Sequence, residues 1–449
     1  MNIFNNFKKN NYKNYFSKNT KQIGQSFFNL GTFFLASALP ISGLFFLIAI
    51  YISFLETKFS LLNDKWNISI LFIGGLLLVN SIRFSLINID ENLSSFDKTI
   101  SFFSLFNWIP LFILFIAFQY YLKDKFQREL FSKYFISGTI PVLISCILQY
   151  WFKVYGPFKI FGGLITIFNK HLSETDGVSG LFSNQNYTGI WLSLTIPLLF
   201  LLISKHKSFN IKKLFLFILL VFTIYFIFLT LSRNATFGLL STIFLIFGFK
   251  SIFLILFSGL FIYLILGITE IFIPIKFFNF IEGHQINNLT TKLNLNNISD
   301  FLEFTRIKIW LNTLKLIIQK PIFGYGASTF SIIFYDLTNL DMQHSHNMPL
   351  QLAYEYGLPL SILLTFFISL LFYKSWKNIF QLKDKTNTYF INKCWLASCL
   401  VAILNHVNDI TYYDGKISIL IWILFAGLKS ILDETNKTIN KNELIINNN

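Results

Sequence analysis

Residues 212–233 read KKLFLFILLVFTIYFIFLTLSR. Lys212 and Lys213 open the stretch, residues 214–231 carry no charge, and Arg233 closes it after Ser232. A helix that crosses a bilayer needs roughly 20 mostly apolar residues. The stretch therefore predicts a membrane-crossing helix. Its lysines, with Lys205 and Lys207 just upstream, mark one end as cytoplasmic by the positive-inside rule. Arg233 then lies at the outer end, where a cation is costly unless it faces protein, water or an anion.

Similar apolar runs lie at 23–55, 66–82, 100–121, 135–152, 186–204, 234–249, 251–274, 350–373, 394–408 and 416–432. Hydrophobic residues make up 54% of the 449-residue chain and charged residues 13%. Soluble domains carry about 25% charged residues, and with a mean hydropathy of +0.57 only a membrane class fits. The net charge of +15 sits in short segments between the runs, as orientation requires, and no nucleic-acid-binding motif accompanies it. We expect no nucleic-acid partner.

Charge sets the topology. Lys123, Lys125, Arg128 and Lys133 mark a second connection as cytoplasmic, and Lys374, Lys377, Lys383, Lys385 and Lys393 a third. Asp90, Glu91 and Asp97 fit the outside. Residues 1–22 hold Lys8, Lys9, Lys13, Lys18 and Lys21 without an acid and read as a cytoplasmic basic tail with no cleavable signal. The run 23–55 must then cross an even number of times, turning at Leu39-Pro40-Ile41-Ser42-Gly43.

The predicted fold is all-α: a polytopic integral membrane protein of about 12 transmembrane helices with one large external loop domain. Residues 23–274 form an N-terminal bundle of about nine helices. A large external loop with short helices follows at 275–349, with helical periodicity near 301–319. About three more helices occupy 350–432, and 433–449 is a polar cytoplasmic tail. A second external region spans 153–185. Cys146, Cys394 and Cys399 are scattered and suggest neither a disulfide framework nor a zinc site.

Chemistry centres on His344-Ser345-His346-Asn347, two of only six histidines, just before the run 350–373. Asn347 suits a helix N-cap, with Pro349 tolerated in the first turn. His346 is then either a general base at the mouth of a helix or a loop histidine without a task, and His344 its orienting neighbour. Arg233 either grips an anion or snorkels to the interface. Arg306, in RIKIW (306–310), is either a second grip on an anion or part of a solvated helix face. PIFGYGASTF (321–330) is a glycine-rich turn that lacks the lysine of a P-loop. GLFSNQN (180–186) opens a membrane helix, and its Asn184 and Asn186 either cap that helix or bind sugar hydroxyls. Asp409 and Asp414, near His406, read as helix-end caps. Asp336 and Asp341 lack the spacing of a metal site, and we expect none.

Taken in order, GLFSNQN (180–186), LTLSR (229–233), RIKIW (306–310), PIFGYGASTF (321–330) and HSHN…EYGL (344–358) resemble the O-antigen ligase and O-antigen polymerase superfamily. The resemblance covers the middle and later parts of the chain. It implies a membrane glycosyltransferase that moves a glycan from an undecaprenyl-diphosphate-linked donor to an acceptor hydroxyl, on lipid A core, on another glycan or on a protein, at the periplasmic face of a bacterial inner membrane. By position His346 is the implied base, with Asn347 and Gly357 matching the family spacing, and Arg233 and Arg306 hold the diphosphate. His344, Asn184, Asn186 and Tyr325 join them as implied substrate-binding residues. The implied reaction is inverting and uses neither cofactor nor metal. Leu360 stands three places after Gly357, where ligases often carry a small or polar residue, so ligase and polymerase both stay open. A polar-lipid transporter is the reading from another class; it would place charges near the bilayer midplane and show repeat symmetry.

Overall fold

Pro40 places the first break. The run 23–55 folds as two helices, α1 (19–34) and α2 (Leu39–Thr57). The turn falls at 35–38, slightly before the expected position, because Pro40 sits in the first turn of α2, where its missing N–H costs nothing. Ser42 donates to the Gly31 carbonyl at 2.7 Å and ties the pair together.

The computed structural model describes residues 19–86, 96–173, 176–251, 253, 305–382 and 387–447. The segments 1–18 and 275–304, and nearly all of the expected helix 251–274, lie outside them. After α2 come α3 (Lys65–Leu86), α4 (Thr99–Tyr121), α5 (Lys125–Tyr150), α6 (Gln185–Ser204), α7 (Ile211–Leu229) and α8 (Arg233–Phe247). Past the undescribed stretch lie α9 (Thr305–Gln319), α10 (Phe330–Thr338), α11 (Met348–Tyr356), α12 (Leu358–Leu382), α13 (Asn387–Asn408) and α14 (Gly415–Asn447). Among the described residues nine helices, α2–α7 and α12–α14, are long and apolar enough to cross a membrane. With 15 residues, α8 is shorter, about 22 Å at 1.5 Å per residue.

The interior is built on α6, α13 and α14. The apolar windows of α6 and α14 are 78% and 83% buried, against 28% in α2 and α7, which therefore form the periphery. α13 packs on α8 and α6, and α14 on α12 and α4. The described part of the loop expected to be external, 305–349, is built of short helices. α9 and α10 close over a small core of their own that includes Ile309, Leu316, Phe330, Phe334 and Tyr354.

The structure adds to or departs from expectation at four places. The fold is not wholly helical, because Phe158–Ile160 and Ile165–Ile167 form an antiparallel hairpin in the 153–185 region. Gly162 (φ +67°) and Gly163 (φ +96°) supply the turn. Arg128 is no surface marker of topology. It is fully buried and bonded to Glu434 at 2.5 Å and Asn392 at 3.3 Å, as a desolvated guanidinium requires. Glu434 belongs to α14, which runs on to Asn447, so the stretch 433–447 continues the last helix rather than forming a separate tail. Finally, 350–373 is not one span but α11 and α12, broken at Gly357.

Gly357 has φ +89°, and a Cβ there would lie 2.0 Å from the Ile322 carbonyl oxygen. A non-glycine residue in such a conformation costs about 1–3 kcal/mol before any clash. Gly357→Ala should therefore lower the melting temperature of the detergent-solubilised protein. An unchanged melting curve would mean that the α11–α12 junction relaxes freely.

Candidate functional site

Asn347 organises the HSHN loop. Its backbone is extended (φ −157°), and its Oδ1 accepts from Leu350 N at 2.9 Å, so it caps α11 with Pro349 in the first turn. Its Nδ2 donates to the Val407 carbonyl at 2.9 Å, which clips the loop to the end of α13. Both ends of this side chain are thus engaged within the protein. The preceding residue, His346, is forced to φ +54°, a region that non-glycine residues rarely occupy.

The clip brings His346 to Asp409. Nδ1 of His346 lies 3.2 Å from Oδ1 of Asp409; the imidazole side chain is one-third exposed and the carboxylate buried. Burial opposes charge on Asp409, but bonds from His346 and from the Ile410 N–H (2.8 Å) win, and its pKa falls below the usual carboxylate value. A carboxylate at Nδ1 holds the proton there and leaves Nε2 free to accept one. Asp409 was expected to be a helix-end cap. Its neighbour Asp414 does cap α14 through Ile417 N at 3.0 Å. Asp409 instead turns to the histidine, a pairing across 63 positions of sequence that local spacing does not reveal.

His344 packs edge-on against His346 with ring centroids 4.2 Å apart, and its Nδ1 accepts the His346 backbone N–H at 3.3 Å. Burial first, then the neighbouring imidazole, push its pKa down to about 4 against the pull of Asp409. It is neutral at pH 7 and orients His346 without opposing positive charge on it.

The two arginines converge on the same place from other elements. The Ser232 hydroxyl accepts Ala235 N at 3.4 Å and starts α8, which leaves Arg233 exposed in its first turn. Asn234 donates to the Asn408 carbonyl at 3.5 Å, next to Asp409. Arg306 is half-buried in the first turn of α9, and its guanidinium feels Asp409 and Arg233. Burial, more than the repulsion from Arg233, lowers its pKa, while Asp409 raises it. Arg306 remains protonated at any physiological pH. Neither arginine forms an ion pair among the described residues, so both charges are available to an anion.

Beneath the loop lies a support centred on Glu355 of the EYGL segment, which no local pattern marks. Ser345 N donates to Gln351 Oε1 at 2.9 Å, and Gln351 Nε2 donates to Glu355 at 3.0 Å. Tyr412 and Tyr413 also donate to Glu355, each at 3.3 Å. Burial raises the Glu355 pKa from 4.5 to about 7 despite these donors. A folded carboxyl that holds its proton more tightly than the unfolded one loses stability as pH rises from about 4.5 to about 7. Glu355→Gln removes that loss, so the variant should gain melting temperature relative to wild type across this window. His344 runs the other way, adding stability as pH rises from about 4 to 6.5, but it is common to both proteins and cancels in the difference. A pH-independent difference would mean that Glu355 is ionised throughout.

Three expected substrate contacts do not join this cluster. Tyr325 is buried, stacked on Tyr354 (5.1 Å, 8°), and its hydroxyl donates to Gln319 at 2.6 Å. The turn around it is a scaffold: Gly324 (φ +70°) and Gly326 (φ +96°) let Tyr325 N and Gly326 N bond the carbonyls of Tyr354 and Glu355 at 2.8 and 3.0 Å. Asn184 caps α6 by accepting the Asn186 N–H at 2.8 Å, and neither asparagine bonds the HSHN loop. Donor atoms of His344, His346 and Asp409 do lie within 4.8 Å of one another, as a metal site would require. Two of the potential donor atoms, His344 Nδ1 and Asp409 Oδ1, also accept from N–H groups.

Residues 215–365 match the model of a family described as O-antigen ligase. This match, over about a third of the chain, supports the resemblance to the O-antigen ligase and polymerase superfamily. The family segment runs from within α7 into α12 and includes Arg233, Arg306 and the whole HSHN loop; Asp409 lies beyond it. No curated protein matches the chain.

Proposed function

We propose that this membrane protein transfers a glycan from an undecaprenyl-diphosphate donor to an acceptor hydroxyl, with His346 as general base. The observation that carries the reading is the imidazole held at Nδ1 by buried Asp409, with Arg306 in the field of Asp409 and Arg233 and neither guanidinium in an ion pair among the described residues. Nε2 of His346 takes the acceptor proton as the hydroxyl oxygen attacks the anomeric carbon. The bond from that carbon to the diphosphate oxygen breaks in the same displacement, so the configuration inverts. Asp409 stabilises the imidazolium, and Arg233 and Arg306 neutralise the charge on the departing lipid diphosphate. The exposed apolar surface of α7, continuous with Arg233, offers the polyprenyl tail a path in the membrane.

The route needs no metal or cofactor. We place the site on the periplasmic face of a bacterial inner membrane, with both termini cytoplasmic. The lysines at 205–213 lie at the other end of α7, about 28 Å away for 19 residues, which supports that orientation. A transporter would gather its charges near mid-membrane, whereas these collect at helix ends on one face.

Transfer by purified protein in lipid vesicles tests the reading. The donor is an undecaprenyl-diphosphate oligosaccharide, and lipid A core and a second donor molecule are offered separately as acceptors. Product on lipid A core identifies a ligase, and a lengthened donor identifies a polymerase. No product with either acceptor would overturn the transferase reading for these substrates.

A further inference from the structure

At the opposite end of α7 from the candidate site, α5, α6 and α7 line an open-sided groove of about 670 Å³. Its walls are apolar, with Ile136, Ile140, Leu202, Phe215 and Leu219 among them. Its end is basic: Lys133, Lys205 and Lys212 line it together with His206. Lys205 is spoken for, since it pairs with the buried carboxylate of Glu129. Lys133 and Lys212 are exposed and have no ion pair among the described residues.

An apolar cleft between membrane helices that ends in unpaired ammonium groups has a specific complement. Its ligand carries hydrocarbon chains and a negative headgroup at the depth where the helices leave the bilayer. A water-soluble anion gains nothing from the walls, and a zwitterionic lipid gains less from the lysines, because its own ammonium offsets its phosphate. We propose that this groove binds an anionic glycerophospholipid of the phosphatidylglycerol class, with acyl chains between α5 and α7 and the headgroup phosphate on Lys133 and Lys212. The site is separate from the transfer chemistry: α7 spans the distance between them, with Lys212 in its first turn and Arg233 beyond its last. A bound lipid here would brace the α6–α7 connection, and through α7 the position of Arg233.

The test uses the full chain, purified in mild detergent with equal phosphatidylglycerol and phosphatidylethanolamine, and reads retained lipid by native mass spectrometry. Wild type should retain phosphatidylglycerol preferentially. Each lysine near an anionic headgroup contributes about fivefold, so Lys133→Gln with Lys212→Gln should weaken that retention about 30-fold and weaken phosphatidylethanolamine retention much less. Ile140→Trp, which fills the groove, should lower retention of both lipids with the lysines intact, and melting curves check that each variant is folded. Equal retention of the two lipids by wild type would overturn the proposal. So would full phosphatidylglycerol retention by the double variant, or displacement of phosphatidylglycerol by equimolar undecaprenyl phosphate.

Discussion

Replacing His346 with alanine lowers the initial rate of glycan transfer by about 10²–10⁴-fold, the usual contribution of a positioned general base. The loss should fall on turnover, with the melting temperature little changed, because the imidazole is one-third exposed and its ring bonds only Asp409. Asp409→Asn is the informative companion. It keeps the shape and an oxygen for the Ile410 N–H but removes the charge that fixes the Nδ1 proton and stabilises the imidazolium. Its rate should fall between wild type and His346→Ala, and the double variant should be no worse than His346→Ala alone, since Asp409 acts through the imidazole. Wild-type transfer by His346→Ala would remove the base from the mechanism. Additive losses in the double variant would give Asp409 a separate task.

Arg306→Ala should cost about 10²–10³-fold in transfer, as expected when one donor to a developing negative charge is removed. The guanidinium is half-buried and within reach of both Arg233 and Asp409, so its field acts where water is partly excluded. Arg306→Lys should recover only part of the rate, because an ammonium gives a point charge where a guanidinium gives a fork of parallel N–H donors. Arg233→Ala should show a loss of the same kind. Insertion and melting should persist in all three, since neither arginine forms an ion pair among the described residues. Normal transfer by either alanine variant would leave the leaving-group diphosphate without its proposed grip.

Much of the molecule is written in local pattern. The span at 212–231 is legible because eighteen uncharged residues can satisfy their backbone in a bilayer only as a helix. The two-helix reading of 23–55 follows from charge bookkeeping and one proline. The cap by Asn347 is likewise a short-range signal, since an N-cap and the N–H it accepts are three residues apart.

Other features escaped because they depend on partners distant in sequence. Arg128 looks like a topology marker beside Lys123, Lys125 and Lys133, and only the approach of Glu434 explains how a fully buried guanidinium is tolerated. Tyr325 looks like an open aromatic on a glycine-rich loop, and only Tyr354 and Gln319 reveal it as core. Asp409 looks like the cap that Asp414 is, because both close or open helices in the same short loop.

The sequence by itself determined that this chain lives in a membrane, where most of its long apolar helices lie, and which histidines and arginines are candidates for its chemistry. Periodicity, capping and charge asymmetry act over a few residues, so a linear reading captures them. The tertiary structure alone decided that Asp409 bonds His346, that Gln351 and Glu355 are linked by hydrogen bonds to the loop above them, and that Arg306 feels the charges of Arg233 and Asp409. Those relations arise when α8, α9, α11 and the end of α13 meet at one membrane face, and no local interaction encodes such a meeting.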